Sequence, residues 1–148
     1  MITDTFKTLF RKDLYKLKTE IELYRNEETI WHIEKSVANS AGNLCLHLVG
    51  NLNTYIGAVL AKTNYVRNRD LEFSLKDIPK ETLIKMIEDT IPVVEKGLDQ
   101  LQEQQLNDDF PTIIWEKTTS TAYTLVYLLA HLNYHLGQVN YHRRLLDV

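Results

Sequence analysis

The stretch Tyr127-Leu-Leu-Ala-His131-Leu-Asn-Tyr-His135-Leu-Gly-Gln138 carries two histidines four residues apart inside an apolar run. On an α-helix this spacing puts both imidazoles on one face, roughly 40° apart in rotation and about 6 Å apart along the axis, so one cation can reach both. The run predicts a helix that begins at a cap on Thr119, Ser120 or Thr121 and continues to about Leu146. A third histidine lies in a second apolar run, Leu44-Cys-Leu-His47-Leu-Val-Gly-Asn51. Three neutral imidazoles drawn from two packed helices would make a metal site with open coordination positions, an arrangement that does chemistry more often than scaffolding.

The rest of the chain is also written for helices. Its 148 residues include only 3 Pro and 5 Gly, and Leu, Lys, Glu and Ile are plentiful, which predicts an all-α protein in a single domain spanning residues 1–148. From about Thr5 to Arg25, Phe6, Leu9, Phe10, Leu14, Leu17, Ile21 and Tyr24 form one stripe, with Lys7, Arg11, Lys12, Lys18 and Glu22 turned outward. The His47 run predicts a deeply buried helix from roughly Ser40 to Lys62, because it is apolar over most of its circumference. A third long helix is expected after Asp77, with Pro79 in its first turn, Pro92 bending it, and an end near Gln105. Thr63 to Pro79 reads as a long loop, and Asn26 to Ser36 as a turn with a short helical start. Four long helices with two connections that are not tight turns predict a four-helix bundle with crossover connections.

Charge and cysteine usage exclude several function classes. The 17 basic and 20 acidic residues give a net charge of −3, and without a run of Lys or Arg no nucleic-acid partner is expected. Cys45 is the sole cysteine, which rules out an internal disulfide and suits a reducing compartment. The opening Met-Ile-Thr-Asp-Thr-Phe-Lys lacks an apolar core, and no apolar run approaches the roughly 20 residues that span a bilayer. A soluble cytoplasmic protein with no membrane association is the expectation.

The alternative to a metal site is three unrelated core histidines, each needing its own partners, whereas a shared cation satisfies one nitrogen of each. Nearby polar residues fit either reading. Asn43 and Asn51 flank His47 by four residues each, Tyr127 precedes His131 by four, and Gln138 follows His135 by three. Each would hold an imidazole or line a pocket, or else make ordinary interhelical hydrogen bonds. His142, seven residues past His135, is about 10 Å further along the helix and is expected at the surface or a dimer edge. Cys45 is about 200° around the helix from His47 and reads as a core residue. Arg67, Arg69, Asp70 and Glu72 read as a solvated, locally paired charge cluster rather than as a clamp over an anionic substrate. With no Asp or Glu at helical spacing beside the histidines, no general base is named.

Three segments together carry a family resemblance: Asn43-Leu-Cys-Leu-His47-Leu-Val-Gly-Asn51-Leu, the later Arg69-Asp70-Leu-Glu72-Phe73, and His131-x-x-x-His135-x-Gly137-Gln138. Over nearly the whole chain the sequence resembles the DinB-like superfamily, in particular its branch of bacterial proteins of about this length. The resemblance implies an up-down-down-up four-helix bundle, one divalent metal ion on His47, His131 and His135, and a homodimer. Relatives in the wider superfamily use the metal for transfer, isomerisation or hydrolysis involving low-molecular-weight thiols such as bacillithiol or mycothiol. The expected function is therefore that of a divalent-metal-binding protein, with zinc or nickel as the ion. It would act as a low-molecular-weight-thiol S-transferase on an electrophilic substrate, or as a related hydrolase. A non-catalytic metal-binding bundle, structural or sensing a small molecule, is the alternative. Exposed Trp31 and Tyr141 and the apolar circumference of the last helix favour the dimer.

Overall fold

Five α-helices and no β-strand make up the computed structural model, which describes residues 1–148. They are α1 (Ile2–Leu23), α2 (Ala41–Leu52), α3 (Arg69–Ser74), α4 (Lys80–Asp99) and α5 (Thr121–Leu146). In α1, Phe6, Phe10, Leu14, Leu17 and Ile21 are buried, as a 3.6-residue period requires. These side chains meet buried residues of α2, α4 and α5 in one apolar cluster. Each contributes about 1.5–3 kcal/mol by leaving water.

Ion pairs on the rim record how the helices are aligned. Between α1 and α4 they join Lys7 to Asp99 at 2.8 Å, Arg11 to Glu95 at 2.5 Å and Lys18 to Glu88 at 3.5 Å, so these two helices run antiparallel. Between α1 and α5, Asn133 donates to Asp13 at 3.0 Å, Asn140 to Glu20 at 2.7 Å and Arg143 to Glu20 at 2.7 Å, which makes that pair parallel. The exposed α1–α4 ion pairs are worth about 0–1 kcal/mol each, so they report the alignment and the core supplies the stability. No helix is long and apolar enough to cross a membrane.

Several expectations change in the folded chain. First, α2 starts on schedule, with Ser40 Oγ accepting the backbone N–H of Asn43, and all of its residues are buried, but it becomes a π-helical turn over Asn53–Ala58. Asn53 and Thr54 donate from their side chains to the carbonyls of Val49 and Gly50. The following amides reach back five residues instead, Val59 to Thr54 and Ala61 to Ile56, and Lys62 ends the helical run at φ 58°. Second, the Thr63–Pro79 excursion contains α3, capped by Asn68, whose side chain accepts from the Leu71 amide. Third, α4 continues through Pro92 but stops at Asp99, and a separate 3-10 turn covers Glu103–Asn107. Fourth, Trp31 is buried, lying on Gly42 so closely that a Cβ there would sit 2.6 Å from the indole. Only a glycine admits the ring at this crossing.

His142 is also buried, contrary to its expected surface position. Its Nδ1 accepts from the Tyr24 hydroxyl at 2.7 Å and its Nε2–H donates to the His32 carbonyl at 2.8 Å. Asp147, just past α5, accepts the amides of Arg25 and Asn26. The end of α5 is thereby tied to the end of α1, a pairing more than a hundred residues apart in sequence that helical period could not reveal.

Candidate metal centre

His47, His131 and His135 come together where α2 crosses α5, each offering a ligating nitrogen within 4.8 Å of the others. The i, i+4 relation on α5 stacks His131 and His135 edge to face, with ring centroids 4.6 Å apart. From α2, His47 is buried and its ring stands 5.0 Å from His131 and 5.4 Å from His135. The two α5 histidines are only partly buried, so one side of the cluster is reachable from solvent.

Two of the three rings are held at Nδ1. His47 Nδ1 lies 3.0 Å from Glu72 Oε1, and His135 Nδ1 lies 2.7 Å from Gln138 Oε1. Both oxygens accept, so both Nδ1 atoms carry the proton and both Nε2 atoms present a lone pair. His131 Nε2 is 3.1 Å from His47 Nε2. A tetrahedral ion with imidazole nitrogens at about 2.1 Å sets two of them about 3.4 Å apart, close to this separation. In the absence of an ion, His131 Nε2 must carry the proton shared with His47, and its buried Nδ1 is then an acceptor without a partner. The donor set fits a divalent cation: the nitrogens that face one another are the ones an ion would take, and an ion at Nε2 would leave His131 Nδ1 as a protonated donor.

The electrostatics favour the same ion. Burial, followed by His135, His47 and Arg67, pushes His131 down to about 4. Burial lowers His135 as well, against the opposing Gln138 hydrogen bond. Both are neutral at physiological pH, the form that binds metals. Burial would raise Glu72, but hydrogen bonds from His47 and Arg67 outweigh it and hold the carboxyl below its ordinary range. Arg67 grips that carboxylate through Nε at 2.8 Å and Nη2 at 2.9 Å. The 3.4 Å approach of Arg67 Nη2 to His47 Nδ1 is not a hydrogen bond, because both groups donate.

Of the other residues singled out in the sequence, Gln138 touches His135 directly. Asn43 instead donates to the carbonyls of Glu72 and Leu75, both at 2.9 Å, and secures α3 against α2. Asn51 is buried one turn from His47, with its Oδ1 unpartnered. Tyr127 is partly exposed and packs on Trp115, centroids 3.8 Å apart. Cys45 is fully buried, and burial pushes its thiol up to about 12, so it behaves as a core residue rather than a nucleophile. Glu72 belongs to no solvated cluster: it is 6% exposed and bonded to a histidine of the centre. Helical spacing could not find it, since it reaches His47 from a separate element 25 residues along the chain. It does lie in the Arg69-Asp70-Leu-Glu72-Phe73 segment that carries part of the family resemblance.

A fold built wholly of helices, with three histidine nitrogens converging between two of them, defines a helical protein with a candidate metal centre. The chain belongs to the family described as "Protein of unknown function (DUF1572)", whose model matches residues 4–147. No curated protein and no solved structure matches it.

Proposed function

We propose that the protein is a divalent-metal-binding helical bundle in which His47, His131 and His135 hold one zinc or nickel ion for a reaction of low-molecular-weight thiols. The convergence of the three nitrogens, two of them with Nδ1 already committed to Glu72 and Gln138, carries this reading. A divalent cation there would lower the pKa of a coordinating thiol or water and so supply a nucleophile near neutral pH. The partly exposed His131 and His135 leave a side by which a thiol and an electrophile can approach, as an S-transferase or related hydrolase needs. Glu72 offers no general base, since Arg67 and His47 occupy its oxygens. That commitment is the observation favouring the second reading, a non-catalytic metal-binding bundle that is structural or senses a small molecule.

The DinB-like relationship supports the same proposal. An up-down-down-up bundle of α1, α2, α4 and α5 in one domain accords with the antiparallel α1–α4 and parallel α1–α5 pairs. A cytoplasmic homodimer built on α5 draws support from the exposed Tyr123, Tyr134, Tyr141 and Leu145 along it. Elemental analysis of untagged protein, followed by a thiol and electrophile screen with holo and metal-stripped samples, tests the proposal. Stoichiometric metal with metal-dependent thiol conjugation supports the transferase reading, metal without any rate supports the non-catalytic one, and no metal refutes both.

A further inference from the structure

Asn43, His47 and Gly50 lie at helical spacings of four and three, which makes a stripe along α2, and each of them meets α3 or the residues flanking it. Asn43 donates to the backbone carbonyls of Glu72 and Leu75, and His47 Nδ1 donates to Glu72 Oε1. Gly50 supplies space: a Cβ there would lie 2.0 Å from Glu72 Oε2 and 2.6 Å from its Cδ. No other residue type leaves room for the carboxylate. Removing a carboxylate from water costs several kcal/mol unless its lone pairs are met, and here Arg67 Nε, Arg67 Nη2 and His47 Nδ1 meet them. Such complete seating of one side chain of a six-residue helix indicates a positional role.

We propose that Glu72 is the positioning residue of the three-histidine centre. By accepting the Nδ1 proton of His47 it holds the one tautomer whose Nε2 lone pair faces His131, and it holds the ring in that plane. Asn43, Gly50 and Arg67 seat it. The role rests on the metal reading above and adds to it a carboxylate from the α3 excursion, which thereby becomes part of the centre.

The test uses full-length, untagged protein and zinc competed against a chromophoric chelator. Glu72→Gln preserves size, but its amide must oppose a donor of either Arg67 or His47. Gly50→Ala keeps the carboxylate and displaces it from the notch. Both should weaken zinc binding about 10- to 100-fold, the usual effect of losing an outer partner of a ligating histidine. Long-range proton–nitrogen spectra of the metal-free protein should show His47 as a single Nδ1–H tautomer in the wild type and as a mixture in both variants. A purely structural role would lower the melting temperature without changing the tautomer or the zinc affinity. Zinc affinity within twofold of wild type for Glu72→Gln, which does not depend on Gly50→Ala folding, overturns the role of Glu72 alone. Wild-type protein that binds neither zinc nor nickel overturns the metal reading, and the positioning role with it.

Discussion

Two histidine environments share α5, and they are finished to different degrees. At His142 both ring nitrogens have protein partners, the Tyr24 hydroxyl and the His32 carbonyl, and burial lowers its pKa against the opposing His32 bond, so the ring is neutral. Three turns earlier, His131 faces His47 nitrogen to nitrogen while its buried Nδ1 has no partner. His47 and His142 are each 7% exposed, so burial alone does not separate structure from function. Hydrogen-bond saturation does, because both nitrogens of His142 are taken within the chain, whereas His47, His131 and His135 each turn a nitrogen to within 4.8 Å of the others, where a cation would take them up.

Removing one imidazole from each site breaks this comparison most severely. Wild-type protein in zinc at a hundred times its dissociation constant should gain about 2.7 kcal/mol, a rise of roughly 8 °C in melting temperature by calorimetry. His131→Ala should show no rise and no stoichiometric metal by elemental analysis, and an unchanged zinc response would remove His131 from the ligand set. His142→Ala should do the reverse. It strands the Tyr24 hydroxyl and the His32 carbonyl, so the metal-free protein should lose about 2–3 kcal/mol in urea unfolding. Its metal content should match the wild type.

Acid sharpens the comparison by acting on both sites at once. His131, at about 4, and His135 and His142, both lowered, bind fewer protons in the folded chain than in the unfolded one. Their stabilising effect is complete above the unfolded value of about 6.5 and is lost as pH falls from there towards 4. Urea midpoints of the metal-free wild type should decline across that window, and His142→Ala should decline less. A flat profile between pH 7 and 4.5 would contradict the neutral, buried state of these rings. The smallest effect is expected at Tyr127→Phe, which keeps the ring on Trp115 and alters a partly exposed hydroxyl. Its stability should stay within about 0.5 kcal/mol of wild type and its zinc affinity unchanged. A marked loss of zinc affinity would place the hydroxyl in the centre.

What the sequence determined by itself is whatever depends on one helix at a time. The α1 stripe, a cap for α5 among Thr119, Ser120 and Thr121, and the His131–His135 pair all follow from a period of 3.6 residues and from local hydrogen bonding, so they were legible without a fold. His47 was legible as a buried imidazole, though its meeting with the pair required α2 to cross α5 at that level. Tertiary structure alone decided the rest. Glu72 joins His47 because Gly50 opens a notch that admits it, His142 finds Tyr24 because α1 and α5 end side by side, and Trp31 is buried because Gly42 lets it close on α2. Each of these depends on distances between separate elements. Periodicity carries no information about them, since it records which face a residue occupies and nothing about what will be packed against that face.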